Sequence, residues 1–269
     1  MKARLIILIA VVAFTFACTD DSTPSFKDEL VVEAYLTEGA TLSLKVSHQV
    51  PLDTSITVGT DDIDGLAITI SDDQTSYQLQ SAGEGIYFSS DLLVKSGTTY
   101  NVSFQYKDQV VTGSTTVPSS PRDVTQSATS INVPSFGNFT PGSGSGFTFP
   151  DPVEISWTND DASYYLVVVE NIDDNPTAIN DFGGEEPPSR VFRNEPIQSD
   201  AYQINSQQFQ YTGRHNIIIF HLNPEYAALY QNNSTSSQNL NAPQTNLTNA
   251  KGVFTATSSD TLQITVTSN

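Results

Sequence analysis

From residue 30 onward the chain alternates apolar and polar side chains with a period of two. Leu30, Val32, Ala34 and Leu36 fall on one phase, and Val31, Glu33, Tyr35 and Thr37 on the other. Leu42, Leu44, Val46, His48 and Val50 alternate in the same way with Thr41, Ser43, Lys45, Ser47 and Gln49. Successive side chains of a strand point to opposite faces, so the pattern describes strands with one face buried and one in water. Segments 66–70, 76–80, 85–89, 99–106 and 110–117 continue it. Turn signals such as Glu38-Gly39, Asp64-Gly65, Asp72-Asp73, Ser96-Gly97 and Lys107-Asp108 separate them. Short strands at this spacing predict a β-sandwich of the immunoglobulin or transthyretin kind over residues 29–118.

The stretch VPSSPRD, residues 117–123, carries two prolines and reads as a domain joint. Residues 119–269 then predict a second sandwich. Residues 132–152 are rich in Gly, Ser, Pro and Phe and read as a long loop. The strand VEISW and the following SYYLVVVENI resemble the B–C region of a fibronectin type III module. Further strands are expected at 201–210 and 215–222, with a closing pair at 252–257 and 261–267. One short helix is expected at 223–230, with Asn223 as cap, Pro224 in the first turn and Tyr226 and Tyr230 on one face. A polar, Asn-rich loop follows over 231–249. The predicted fold class is all-β: two tandem β-sandwich domains, immunoglobulin/transthyretin-like then fibronectin type III-like, with one short helix in the second.

The first 28 residues follow another rule. Lys2 and Arg4 precede thirteen uncharged residues, 5–17, and the chain's one cysteine, Cys18, stands directly after Ala17. Thirteen apolar residues are too few to span ~30 Å of hydrocarbon, which takes about 20. A basic start, a short apolar run and a small residue before the break describe a secretory signal over residues 1–17. The Cys after it resembles a bacterial lipobox, although Thr15 stands where Leu is usual. Cleavage before Cys18 and acylation of its thiol would leave residues 18–28 as a tether. Each buried methylene contributes ~0.8 kcal/mol, so two or three acyl chains hold a protein on a membrane where one does not. Asp20 and Asp21 follow the Cys and resemble the export signal of outer-surface lipoproteins.

Charge narrows the partners. The chain has 11 Lys and Arg against 30 Asp and Glu, a net charge of −19. Loss of Lys2 and Arg4 with the signal leaves nine bases against the same 30 acids, a net −21. Such a field repels phosphate backbones and argues against nucleic-acid binding. It also repels anionic lipid headgroups, which leaves membrane attachment to the anchor. With Cys18 acylated, no disulfide forms within the chain.

Beyond these patterns, ELVVEAYLTEG, the run GEGIYFSS to GTTYNVSF, the helix start HLNPEY and the ending TNAKGVFTATSSDTLQITV resemble one family. It is the family of outer-membrane lipoproteins of Bacteroidota known as domain of unknown function 4249. The resemblance runs from Cys18 to Val266. It implies attachment to the outer membrane through the lipid. Because such proteins are commonly encoded beside TonB-dependent β-barrel receptors, it also implies a receptor partner. It implies no activity, cofactor or ligand.

Candidate chemistry is sparse. The three histidines, His48, His215 and His221, read as core or edge residues. No G-x-S-x-G elbow, H-E-x-x-H helix or phosphate loop occurs. TDDIDG at 60–65 resembles half a calcium loop, but Thr60 takes the first ligand position and Ser71 stands where a bidentate Glu should close it. Asp21-Ser22-Thr23 and Asp260-Thr261-Leu262 resemble short O-glycosylation acceptors. The reading is therefore non-enzymatic, with no metal and no cofactor. Phe136, Phe139, Phe147 and Phe149 lie in the Gly-rich loop and Phe182 in a second insertion. Loop aromatics on a sandwich mark a partner or ligand site, or else cover the joint between domains. Three functions stay open: an accessory subunit of an outer-membrane receptor, a stand-alone adhesin or glycan-binding module, and a carboxylate hydrolase.

Overall fold

The computed structural model describes residues 29–49, 62–135, 149–180, 187–231 and 245–268. The first sandwich takes β1 (Leu30–Thr37), β2 (Thr41–His48), β3 (Thr69–Ser71), β4 (Ser76–Gln78), β5 (Gln80–Gly83), β6 (Ile86–Leu93), β7 (Thr99–Tyr106) and β8 (Gln109–Thr116). The second takes β9 (Arg122–Gln126), β10 (Ser130–Val133), β11 (Val153–Thr158), β12 (Tyr164–Asn171), β13 (Val191–Arg193), β14 (Ala201–Ile204) and β15 (Gly213–Leu222). Helix α1 (Pro224–Gln231), β16 (Leu247–Thr248) and an 18-residue β17 (Lys251–Ser268) complete the chain.

One sheet runs through both sandwiches. Its order is β13-β12-β15-β17-β1-β2-β6-β5, with β10 also on β17. A five-stranded sheet, β16-β8-β7-β3-β4, closes the first sandwich, and a three-stranded sheet, β14-β11-β9, closes the second. The first half of β17 runs parallel to β1, from Val31 opposite Lys251 to Thr37 opposite Thr257. Its second half runs antiparallel to β15, from Leu222 opposite Thr257 to Gly213 opposite Val266. Thr257 is thus the residue where one sandwich hands over to the other.

Burial follows the alternation. Leu30, Val32, Ala34 and Leu36 face the first core with Leu42, Leu44, Val46, Tyr87 and Tyr100. That core does not end at residue 118, because Leu247, Ala250, Phe254 and Ala256 belong to it. The side chain of Asn246 stands in for a strand beside Phe254, accepting its N–H at 3.0 Å and donating to its carbonyl at 2.7 Å. The second core gathers Val153, Ile155 and Trp157 with Tyr165, Val167, Val169, Ile217, Ile219 and Ile264.

Strand β12 is covered on both faces. Leu166 and Val168 pack with Leu222 under Tyr226 and Tyr230 of α1. The backbone carbonyl of Asn223 accepts the N–H groups of Tyr226 and Ala227 at the helix start, while its side-chain amide donates across the joint to Thr115 Oγ1 and to the Thr116 carbonyl. Thr115 in turn donates to Glu225. Tyr226 meets Tyr35 of β1 edge-on at 5.7 Å, and its burial, with Tyr230 alongside, pushes its hydroxyl up to about 12.

Several expected boundaries change. The closing pair at 252–257 and 261–267 is a single strand, because β15 pairs continuously past the polar Ser258, Ser259 and Asp260. The strand expected over 201–210 stops at Ile204, where Asn205 donates its N–H to Gln208 Oε1 and a short 3-10 turn starts. The segment expected at 66–70 starts at Thr69, since the Leu66 N–H goes to the Tyr87 hydroxyl. The joint is pinned from both sides. The Ser119 carbonyl accepts from His221 Nδ1 and from Ser258 Oγ, each at 2.7 Å, while Ser120 donates to Glu38 at 2.6 Å.

Candidate functional site

The register of β17 gives the molecule two poles. At 3.3 Å per residue its 18 residues span roughly 60 Å. Its first residues lie beside the start of β1, so the chain before residue 29 joins at this proximal pole. Val133 pairs with Ser268 at the other end, so β10 runs out at the distal pole. Asn171, opposite His215, and Gly213, opposite Val266, reach the same end.

Both aromatic insertions spring from the distal pole. Ser135, the last described residue before 136–148, donates its hydroxyl to the carbonyl of Ile179 at 3.0 Å. Ile179 lies two residues before the 181–186 segment and is itself held by a bond to the Gln210 carbonyl. The far side of that segment is fixed where the Tyr211 hydroxyl donates to the Pro188 carbonyl at 2.7 Å. These roots lie at the opposite end of the second sandwich from the joint at Thr257. Phe149, beyond the first insertion, is 43% exposed. Phe136, Phe139, Phe147 and Phe182 lie outside the described residues, as do Cys18, Asp20 and Asp21.

A polar network stiffens this pole. Arg190 donates to the backbone and side-chain oxygens of Asn171 and to the Asp173 carbonyl. Asp173 binds the Arg214 backbone N–H at 3.1 Å and its Nε at 3.2 Å. The buried His215 donates from Nδ1 to the Gly213 carbonyl at 3.1 Å, and its Nε2 lies 3.4 Å from the Asn171 amide. Burial pulls the imidazole below its ordinary 6.5, against the opposing pull of the Gly213 carbonyl and Asp173. A neutral ring with Nδ1 protonated satisfies both contacts.

The other histidines also make structural contacts. His221 stacks on Tyr165 at 4.8 Å and ties down the joint. His48 and Tyr106 both bond Asp62, at 2.9 and 2.8 Å. Burial pushes the Asp62 carboxyl up, but these two bonds outweigh it and hold the group below its ordinary value. Within the half calcium loop, Asp64 accepts the Gly85 N–H at 2.6 Å, while Thr60 and Asp61 lie outside the described residues. Among the described residues no group of three or more His, Cys, Asp and Glu could hold a metal ion, and no helix is long and apolar enough to cross a membrane.

Two clefts open at the poles. The proximal one, of about 490 Å³, lies between Glu29, Tyr106, Lys107, Leu247 and Lys251. The distal one, of about 560 Å³, lies between β10 and the start of β11 and has Ser130, Asn132, Asp151, Glu154 and Gln203 on its walls. The sequence identified the aromatic insertions, whose roots lie at the same pole as the distal cleft. It gave no signal for the polar walls, which the fold assembles from 127–132, 150–154 and Gln203.

A family model described as "Domain of unknown function (DUF4249)" matches residues 17–263. No curated protein is significantly similar in sequence. Among solved structures, the crystal structure of the FN1-FN3 domains of chicken CNTN1 aligns at 12% identity and a TM-score of 0.29. The alignment covers 73% of this chain and 60% of that one.

Proposed function

The chain belongs to the family described as domain of unknown function DUF4249, and from that premise we propose that it is a lipid-anchored, surface-exposed outer-membrane protein. In this reading it acts without catalysis, as an accessory or binding subunit of a TonB-dependent receptor. The observation that carries the reading is the separation of its two ends. The anchor side joins at the start of β1, and the roots of both aromatic loops meet at the opposite pole, roughly 60 Å along β17. The family match begins at residue 17, beside Cys18, and leaves the basic, apolar leader outside it.

The shared strand suits a presenting role. A change of angle between the sandwiches would have to break β17 pairing on both sides of Thr257 together with the bonds to Ser119 and Ser120. The roots at the distal pole are thereby held at a fixed distance from the start of β1. The eleven residues 18–28 add at most ~40 Å of reach. Structural contacts at all three histidines support a binding role over a catalytic one. Affinity capture of the tagged full-length protein from detergent-solubilised membranes tests the reading. Co-recovery of an outer-membrane β-barrel receptor is expected, and repeated recovery of the protein alone contradicts it.

A further inference from the structure

We propose that the distal groove between β10 and β11 binds a neutral saccharide. The inference rests on the binding role given above and names the ligand class of its distal pole. Three features carry it.

The groove has the size of a small-ligand site, about 560 Å³. Its walls offer hydroxyl, amide and carboxylate groups, from Ser130, Asn132, Gln203, Asp151 and Glu154. Amides donate and accept, and carboxylates accept two hydrogen bonds side by side, which matches pairs of adjacent sugar hydroxyls. Glu154 is already oriented for this. Its carboxylate accepts from Gln203 Nε2 at 3.4 Å, and its backbone N–H is held by Ser127 Oγ at 2.9 Å.

An aromatic ring stands next in sequence to the groove wall. Phe149 directly precedes Pro150, which lines the groove, and is 43% exposed. The C–H face of a pyranose packs against such a ring while its hydroxyls reach polar groups.

Charge and backbone then select the class. Among the described residues no Lys or Arg lines the groove, whereas Asp151 and Glu154 both do, so uronic acids, sulfated sugars and phosphates are repelled. Pro150 and Pro152 remove two backbone N–H groups from the wall segment that leads into β11. That wall therefore cannot supply the regular ladder an extended peptide needs.

Screening of the purified full-length protein, extracted in detergent, on an array of neutral, uronate-containing and sulfated oligosaccharides tests the proposal, with an extended-peptide array beside it. Retention of neutral glycans alone is expected. The strongest binder, titrated by calorimetry, should lose at least about tenfold in affinity with Phe149→Ala and with Glu154→Gln. The unfolding midpoint is read beside each titration, and the affinity loss should exceed any loss of folded protein at the titration temperature. No neutral glycan retained, equal retention of acidic glycans, binding of peptides instead, or affinity indifferent to both substitutions overturns the proposal. Receptor capture is a separate measurement, so a failed glycan site and a failed receptor association can be told apart.

Discussion

Ser135 and Ile179, 44 positions apart in sequence, are joined by a hydrogen bond of 3.0 Å from the serine hydroxyl to the isoleucine carbonyl. The bond ties together the roots of the two insertions that carry the loop aromatics. Ser135→Ala removes the donor and leaves the carbonyl in a partly buried setting. A loss of about 1 kcal/mol in urea unfolding is expected. If both loops serve one partner, the substitution should also lower receptor recovery. Unchanged stability would show that the roots do not support each other.

Gly252 makes the parallel pairing of β1 and β17 possible. Its φ is +93°, and a β-carbon there would lie 2.1 Å from the Val32 carbonyl oxygen, an immovable backbone atom. Gly252→Ala combines a left-handed backbone with a direct overlap, so a loss of about 3 kcal/mol or more is expected. Because β17 serves both sandwiches, calorimetry should show both cores melting earlier in one transition. Two separate transitions, with only the first displaced, would mean the sandwiches unfold independently.

His215 sets a pH dependence of known sign. Its folded pKa lies below 6.5 because burial disfavours the imidazolium. The unfolded chain therefore takes up the proton first as pH falls. The stability this group contributes is full above 6.5 and is lost as pH drops through 6.5 toward the folded pKa. Between about pH 7.5 and pH 5.5 the native protein should lose more stability than His215→Gln, measured by denaturant unfolding. Parallel loss in the two proteins would assign the acid sensitivity elsewhere.

Much of the first sandwich can be read from the sequence, and the reason is solvent. Strands β1, β2, β7 and β8 each have one wet face, so alternation survives in Leu30 to Leu36 and in Tyr100 to Tyr106. Strand β12 has no wet face, since α1 covers Leu166 and Val168, and it shows as an unbroken apolar run. Strands β9 and β10, five and four residues long, lie between the segments that read as joint and loop and overlap one end of each, too short to show an alternation of their own. The polar Ser258, Ser259 and Asp260 imitate a turn because they cross the interval between the two cores, where Ser258 finds its partner in the linker. Pairing of β1 with β17 joins segments more than 200 residues apart, and no local pattern encodes it. The distal pole was legible in its loop aromatics and illegible in its geometry, because Ser135 and Ile179 meet only through the packing of the second core.

The most direct test of the anchored, presenting molecule is intact-mass and N-terminal peptide spectrometry of the protein extracted from native membranes. A chain starting at Cys18 with a thioether-linked diacylglycerol is expected. A free thiol at Cys18, or a chain that keeps residues 1–17 or begins at another bond, would contradict it.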